Sequence, residues 1–362
     1  MWMSLVWAYT KALTSGLSAC DKKDDQQKKK DEMAKGKPRR DIYQEVTDRI
    51  VKLLEEGTVP WRNPIKRGSG DGWPKNLQSG KGYRGINVFL LAVRAWESGF
   101  SSDFWLTFKQ AKAKGGAIRK GEKSSLVIFW KQIEKEDKET GEEIKLPVLR
   151  HYNVFNVEQC DNIDAPDAPV PDSETVPFEP LDAAETIVTD YDRGPPIEFG
   201  GNRACYRPKS DVVIMPQPDD FTDRESYYAT LFHELSHSTG HSSRLDRGLD
   251  TNLTPFGSPD YSREELIAEM SAAFLSAAAG ISPPTIEQSA AYLDNWCKAL
   301  KGDKRLVVNA AGAAQKSTDW ILDMTFEDAA RARSGQTTDN AATNSTDVSC
   351  SESSTSAQLR LF

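Results

Sequence analysis

Two histidines stand four residues apart in the stretch His233-Glu234-Leu235-Ser236-His237, and that spacing restricts what the surrounding chain can become. A helix turns about 100° per residue, so both imidazoles leave one face, nearly one above the other. The pair clamps a metal ion only if the segment is helical. A catalytic ion also needs a third protein ligand, supplied by another element packed against that face. The preceding run Tyr227-Tyr228-Ala229-Thr230-Leu231-Phe232 is apolar on the core side and lacks Pro and Gly, and Gly240 reads as a helix stop. Glu234 falls beside the ligand face, where its carboxylate can take a proton from an attacking water instead of binding the ion. That is the position of a general base.

The chain has four histidines, and His233, His237 and His241 fall within one short stretch. A chance pair on a solvated helix is the competing reading, and the carboxylates downstream weigh against it. His241 does not match the HExxHxxGxxH pattern, whose last histidine falls where this chain has Ser243. In Ser262-Arg263-Glu264-Glu265-Leu266-Ile267-Ala268-Glu269, Ser262 can cap a helix on which Glu265 and Glu269 share a face. This arrangement is similar to that of gluzincins, in which one glutamate of a second helix binds zinc and an acid four residues later orients a ligand histidine. Glu265 is expected as the ligand and Glu269 as the orienting acid. The two roles can be exchanged, and a solvated Glu pair is the alternative to both.

Length and composition suit a two-domain globular protein: 362 residues, 38% hydrophobic. Cys20, Cys160, Cys205, Cys297 and Cys350 are odd in number and lack CxxC spacing, which argues against disulfides and a cysteine zinc knuckle and favours the cytoplasm. No run of apolar residues is long enough to span a membrane. The net charge of −8 hides a division along the chain. Residues 33–160 hold 24 Lys and Arg against 16 Asp and Glu, whereas residues 161–362 hold 16 against 33. A basic first domain on an acidic protein suggests a polyanionic partner.

Residues 1–40 read as a disordered extension. Leu17-Ser18-Ala19-Cys20 matches a lipobox, but no basic residue precedes the apolar segment and Lys11 interrupts it, so an upstream initiation artefact ahead of Met33 competes with a signal. Residues 41–160 form the first domain. Asp41 caps an amphipathic helix ending at Gly57, a second helix covers 86–97, and Thr107 caps a third reaching Gly115-Gly116. A hairpin of strands 125–131 and 144–155 completes it. The proline-rich acidic stretch 161–181 is a linker, 182–330 the second domain, and 331–362 a disordered Ser/Thr-rich tail. The second domain should hold a strand at 211–215, the HExxH helix, the glutamate helix to about Ala279, and helices near 285–300 and 303–323. The class is α+β.

Five of the nine tryptophans lie in the basic domain. Unpaired bases stack on aromatic faces while Lys and Arg neutralise phosphates, so the pattern suits single-stranded nucleic acid. No helix-turn-helix, zinc finger or basic zipper is present to read a duplex. Trp96 and Trp130 fit a core, whereas Trp61, Tyr83 and Trp105 fall near turns or element ends and fit a platform.

Taken in order, DIYQEVTDRI, PWRNP, GYRGIN, FWLTFKQAKAKGGAIRKGEKS, YNVFN, ACYRPKSDVVIMP, LFHELSHSTGHSSRLDR and YSREELIAEMSAAFL resemble the ArdC family of antirestriction proteins. The first half also resembles the N-terminal part of plasmid TraC-type primases. The resemblance implies an N-terminal α+β domain that binds single-stranded DNA and a C-terminal zincin-like, gluzincin-type metallopeptidase domain, carried on mobile elements to protect DNA from restriction. The positions implied for DNA are Trp61, Asn63, Tyr83, Arg84, Asn87, Trp105, Lys109, Gln110, Arg119 and Lys120. Those implied for the Zn2+ site are His233, His237, Glu265 and Glu269, with Glu234 catalytic. A metallopeptidase with DNA only as a localising ligand, and a primase or replication accessory protein, are the alternatives. The final Gln358-Leu359-Arg360-Leu361-Phe362 looks like the peptide by which bacterial proteins dock on the sliding clamp, with Gln358, Leu359, Leu361 and Phe362 as anchors, against an arbitrary terminus.

Overall fold

Helix α1 (Ile42–Glu55) buries Val46, Ile50, Leu53 and Leu54, the positions its helical period selects. It stops at Gly57, where a φ of +82° lets the Gly57 and Thr58 amides close on the Leu54 and Leu53 carbonyls. The computed structural model describes residues 40–62, 73–136, 143–166, 180–251, 258–281 and 290–324. The 1–39 extension, Asn63, most of the linker and the clamp-like terminus lie outside the described residues.

After α1 come β1 (Lys75–Asn76), α2 (Ile86–Ser98), β2 (Phe104–Thr107), α3 (Phe108–Ala113), β3 (Ala117–Ile118), β4 (Ser125–Glu136), β5 (Glu143–Asn156) and β6 (Cys160–Asp161). One sheet has the order β1-β2-β5-β4, parallel between β1 and β2 and antiparallel elsewhere, and β3 pairs with β6. Thr107 caps α3 in a reciprocal box with Gln110, as expected. The hairpin is longer than its apolar runs suggest. Its register continues through Glu134↔Lys145 to Glu136↔Glu143, because ladder pairing is made by the backbone and tolerates charged side chains.

The second half contains α4 (Pro180–Thr189), β7 (Ile197–Phe199), β8 (Cys205–Arg207), β9 (Val212–Met215), α5 (Arg224–Ser238), α6 (Pro259–Ala279), α7 (Ala290–Gly302) and α8 (Leu306–Ile321). Its sheet runs β7-β9-β8, with β8 at the edge beside α5. Helix α6 packs on both α5 and α8. Ser258, not Ser262, caps α6: its side chain accepts from the Tyr261 amide, which adds a turn ahead of the expected start. Tyr228, Leu231, Phe232 and Leu235 of α5 are buried with Val213, Met215 and Leu275. Burial of that face sets the rotation of α5 and turns His233 and His237 toward α6.

The chain has two domains of mixed helix and strand, and both lie within a single compact unit, Tyr43–Phe362. Phe89 of α2 stacks on Phe274 of α6 with centroids 4.8 Å apart, and Trp73 leans on the same ring at 5.7 Å. Arg84 pairs with Asp319, the Gly85 amide donates to Gln315 Oε1 at 3.2 Å, and Thr47 donates to the Lys304 carbonyl at 2.8 Å. The domains thus share a core through α6 and α8. Among the described residues no helix is long and apolar enough to cross a membrane, and Cys160, Cys205 and Cys297 are free thiols.

Candidate metal centre

Helices α5 and α6 bring His233, His237 and Glu265 together, with a ligand atom of each within 4.8 Å of the others. The two Nε2 atoms are 3.1 Å apart, and Glu265 oxygens lie 3.5 Å from His233 Nε2 and 3.7 Å from His237 Nε2. A tetrahedral ion with bonds of about 2.0–2.1 Å spaces its ligand atoms by about 3.3 Å. The three distances bracket that value, and two imidazoles with one carboxylate are a donor set that fits a divalent transition metal.

Charges around the triad are arranged for such an ion. His237 Nδ1 lies 3.3 Å from Glu264 Oε1, which leaves Nε2 to face the cluster. Glu264 is in turn gripped by Arg247, through Nη2 at 2.6 Å and Nε at 2.9 Å. Burial opposes the charge on His237, but the Glu264 bond and the charges of Glu264, Glu265 and Glu234 outweigh it and raise its pKa. Burial likewise pushes the Glu265 carboxyl up, yet the His233 bond, the charges of both histidines and a Tyr261 hydrogen bond bring it down to about 2. The site thus keeps Glu265 ionised and ready to ligate.

Glu234 is buried beside the triad, and its Oε2 accepts the Tyr206 amide of β8 at 2.7 Å. Edge strand β8 therefore holds one oxygen of the expected base in place. Gly240 does more than follow the end of α5 at Ser238: a Cβ there would meet Leu249 Cδ1 at 2.6 Å and Arg247 Nη2 at 3.0 Å, so a side chain would press on both. The chain folds back there, with the Arg247 amide donating to the Gly240 carbonyl at 2.9 Å, and this brings the Arg247 side chain to Glu264. His241 is not in the cluster; it bonds Ser243 at 2.8 Å and faces Asp250.

Glu269 is also elsewhere, contrary to the expectation for it. It lies four residues beyond Glu265 on α6, about 6 Å along the axis, and its carboxylate is enclosed by the first domain and by Tyr292 of α7. It accepts from Trp61 Nε1 at 2.8 Å, from Arg62 Nη2 and Nε at 3.0 and 3.3 Å, and from Tyr292 at 2.6 Å. The acid beside a histidine is Glu264. A count of i and i+4 positions passes it over, because helix packing, not helix period, aims it at His237. Tyr206, Arg247, Tyr261 and Tyr292 were missed for the same reason: no spacing in the sequence ties them to the site.

The residues expected to meet DNA divide sharply. Trp61 and Trp105 are 2% and 1% exposed, so neither offers a ring to a base. Trp61 packs edge-on to Trp296, and Trp105 sits in a cluster with Leu91, Val127 and Val154 against which Tyr83 packs. Asn87 takes the Ile128 amide and donates to its carbonyl, Gln110 closes the α3 cap, and Arg84 is paired with Asp319. Arg119 bonds the Glu158 carbonyl and Glu122. Lys109 and Lys120 are exposed. Trp96 and Trp130, expected in the core, are 59% and 51% exposed. The residues of PWRNP and GYRGIN that the structure describes serve mainly to join the two domains.

Comparison with known proteins gives the family. The family description "N-terminal domain of anti-restriction factor ArdC" matches residues 40–155, and "Zincin-like metallopeptidase" matches residues 182–313. The uncharacterized protein y4eC of Sinorhizobium fredii is 35% identical over 290 residues, 78% of this chain and 91% of that protein. DNA primase TraC of Escherichia coli is 35% identical over 303 residues, 79% of this chain but 20% of the primase. The metal-free crystal structure of antirestriction protein ArdC from plasmid R388 is 41% identical, with a TM-score of 0.63 over 81% of this chain and 99% of that one. Its Mn(II)-bound structure is 40% identical, with the same TM-score over 80% and 99%. Two domains of the same kinds in the same order, and a solved relative matched along nearly its whole length, establish that this chain belongs to the ArdC family of antirestriction proteins.

Proposed function

We propose that this chain is a single-stranded-DNA-binding antirestriction protein of a mobile element, whose second domain is a zinc-dependent peptidase. The observation that carries the second part is the convergence of His233, His237 and Glu265, with Glu234 buried beside them. His233, His237 and Glu265 would hold the ion, which when bound polarises a carbonyl and acidifies water. Glu264 and Arg247 orient His237. Glu234, steadied by the Tyr206 amide, receives the proton through its other oxygen and returns it to the leaving amine. Zinc is favoured by the imidazole and carboxylate donors and by the tetrahedral spacing; the same donors accept manganese, the ion in the R388 relative. Binding to DNA rests on the basic balance of residues 33–160 and on the family.

The deciding variant is Glu234→Gln. The amide oxygen can still accept from Tyr206, so fold, metal binding and DNA binding should survive while proton transfer is lost. Protection of transforming DNA from a restriction host is measured beside metal content by mass spectrometry. Loss of protection in a folded, metal-loaded, DNA-binding variant supports peptidase action. Retained protection means that binding alone suffices and the metal centre is a scaffold.

A further inference from the structure

The register of β4 and β5 sets Val127 opposite Tyr152 and Phe129 opposite Arg150. Opposed residues share a face of the sheet, so Val127, Phe129 and Lys131 of one strand lie on the same face as Val154, Tyr152 and Arg150 of the other. At one end of this face Val127 and Val154 are buried with Leu91 of α2 and Trp105. Beyond them the face opens to solvent. Phe129 and Tyr152 lie ring on ring, centroids 4.7 Å apart and planes 5° from parallel, and Tyr152 is 56% exposed. Arg150 and Lys131 beside them are exposed, and neither forms an ion pair among the described residues. An aromatic stack that ends in an open ring, flanked by two cations on a sheet, leaves Tyr152 with one face unused.

The geometry points to this strip, Phe129, Tyr152, Arg150 and Lys131, as the stacking platform for single-stranded DNA. It rests on the reading that the first domain binds such DNA, and it replaces the buried Trp61 and Trp105 as the aromatic contacts. An unpaired base extends the Phe129–Tyr152 stack on its open side, while Arg150 and Lys131 take the adjoining phosphates. A duplex keeps its base faces inside the helix and cannot use the ring. The exposed cations match a polyanion, and the basic balance of residues 33–160 has the same sign.

The test uses the full chain, a fluorescein-labelled oligodeoxythymidylate and fluorescence anisotropy across a salt series, with duplex DNA as competitor. Tyr152→Ala should weaken binding roughly tenfold, as expected for the removal of one base stack, and Tyr152→Phe should bind like the wild type. The double variant Lys131→Ala/Arg150→Ala removes no ring, so it should keep the wild-type Tm, and the slope of log affinity on log salt should fall by about 0.7 for each phosphate no longer neutralised. That variant decides the matter if Tyr152→Ala also loosens the hairpin. Wild-type binding and salt slope in both variants, or equal competition by duplex, overturns the platform and leaves the DNA-binding reading standing. A wild-type chain that binds no single strand at all sinks both.

Discussion

Arg62→Ala should destabilise the whole protein, because Arg62 is half of the charge pair through which the first domain holds helix α6. The Glu269 side chain is 11% exposed and that of Arg62 31%. Arg62 donates twice to Glu269 and lies 4.3 Å over the Tyr292 ring. Breaking a fully buried pair costs about 3–5 kcal/mol, and a hydrogen bond to a charged group is worth about 1.5–3. Water can reach the vacated side, and Trp61 and Tyr292 still donate to the acid, so the loss should be about 2–3 kcal/mol, or about 3–5 °C in Tm for a protein of this size. The assay is thermal unfolding by circular dichroism in chelator, which removes any contribution from metal. Arg62→Lys keeps the charge without the fork and should lose about half as much. Glu269→Gln added to Arg62→Ala should cost less than the two single changes together, by about 1 kcal/mol or more. A melt of Arg62→Ala within about a degree of wild type, or strict additivity in the double variant, refutes the pairing as a structural joint.

The remaining predictions concern the metal, acid and domain boundaries. Glu265→Gln should abolish the rise in Tm on adding Zn2+ or Mn2+ while Glu269→Gln keeps it; the opposite pattern would make Glu269 the ligand. Glu264→Gln should lower metal affinity by about 10- to 100-fold by calorimetry, and an unchanged affinity removes its orienting role. For Asp211, burial raises the carboxyl pKa, but bonds to Arg244 and Tyr206 more than offset this and leave it lowered. A lowered folded value means the contribution is intact above the unfolded pKa of about 3.9 and is lost as pH falls through the folded one. Asp211→Asn should therefore flatten the acid limb of Tm against pH, and parallel limbs would falsify the linkage. Residues 33–160 expressed alone should show no cooperative melt, since Phe89 and Trp73 would be without Phe274 and Trp61 without Trp296.

The sequence revealed what depends on local period and capping. His233 and His237 share a face because four residues make about one turn, and Thr107 and Gln110 form their cap within one turn. Elements α1, α2, α5 and α6 followed from apolar spacing, caps and stop signals, to within a few residues at their ends. What depends on contacts between distant residues was not legible. Glu264 and Glu269 are both acids of α6, and only the packing of α5 against one side and the first domain against the other assigns the first to His237 and the second to Trp61 and Arg62. The aromatic residues failed for the same reason. Trp61 follows a turn and has the look of an exposed residue, yet it is buried against α7, while Trp130 stands in an apolar strand and has one side free.

The shared core couples the stabilities of the two domains. Two globular domains on a proline-rich linker would keep separate stabilities, and a ligand of one would leave the other unaffected. Here Phe274 and Glu269 of the metal-site helix contact first-domain residues directly, and Glu265 of the same helix reaches the histidines. Any ligand that binds only the folded form stabilises the unit as a whole by mass action. Single-stranded DNA and metal should thus each raise the same melting transition. If α6 loosens in the free protein, each should also tighten the other by the same factor, as reciprocity of binding free energies demands. Titrating metal into the chain with and without saturating oligodeoxythymidylate measures that factor. A value of one would mean that α6 is already rigid, and that the shared core gives stability without communication.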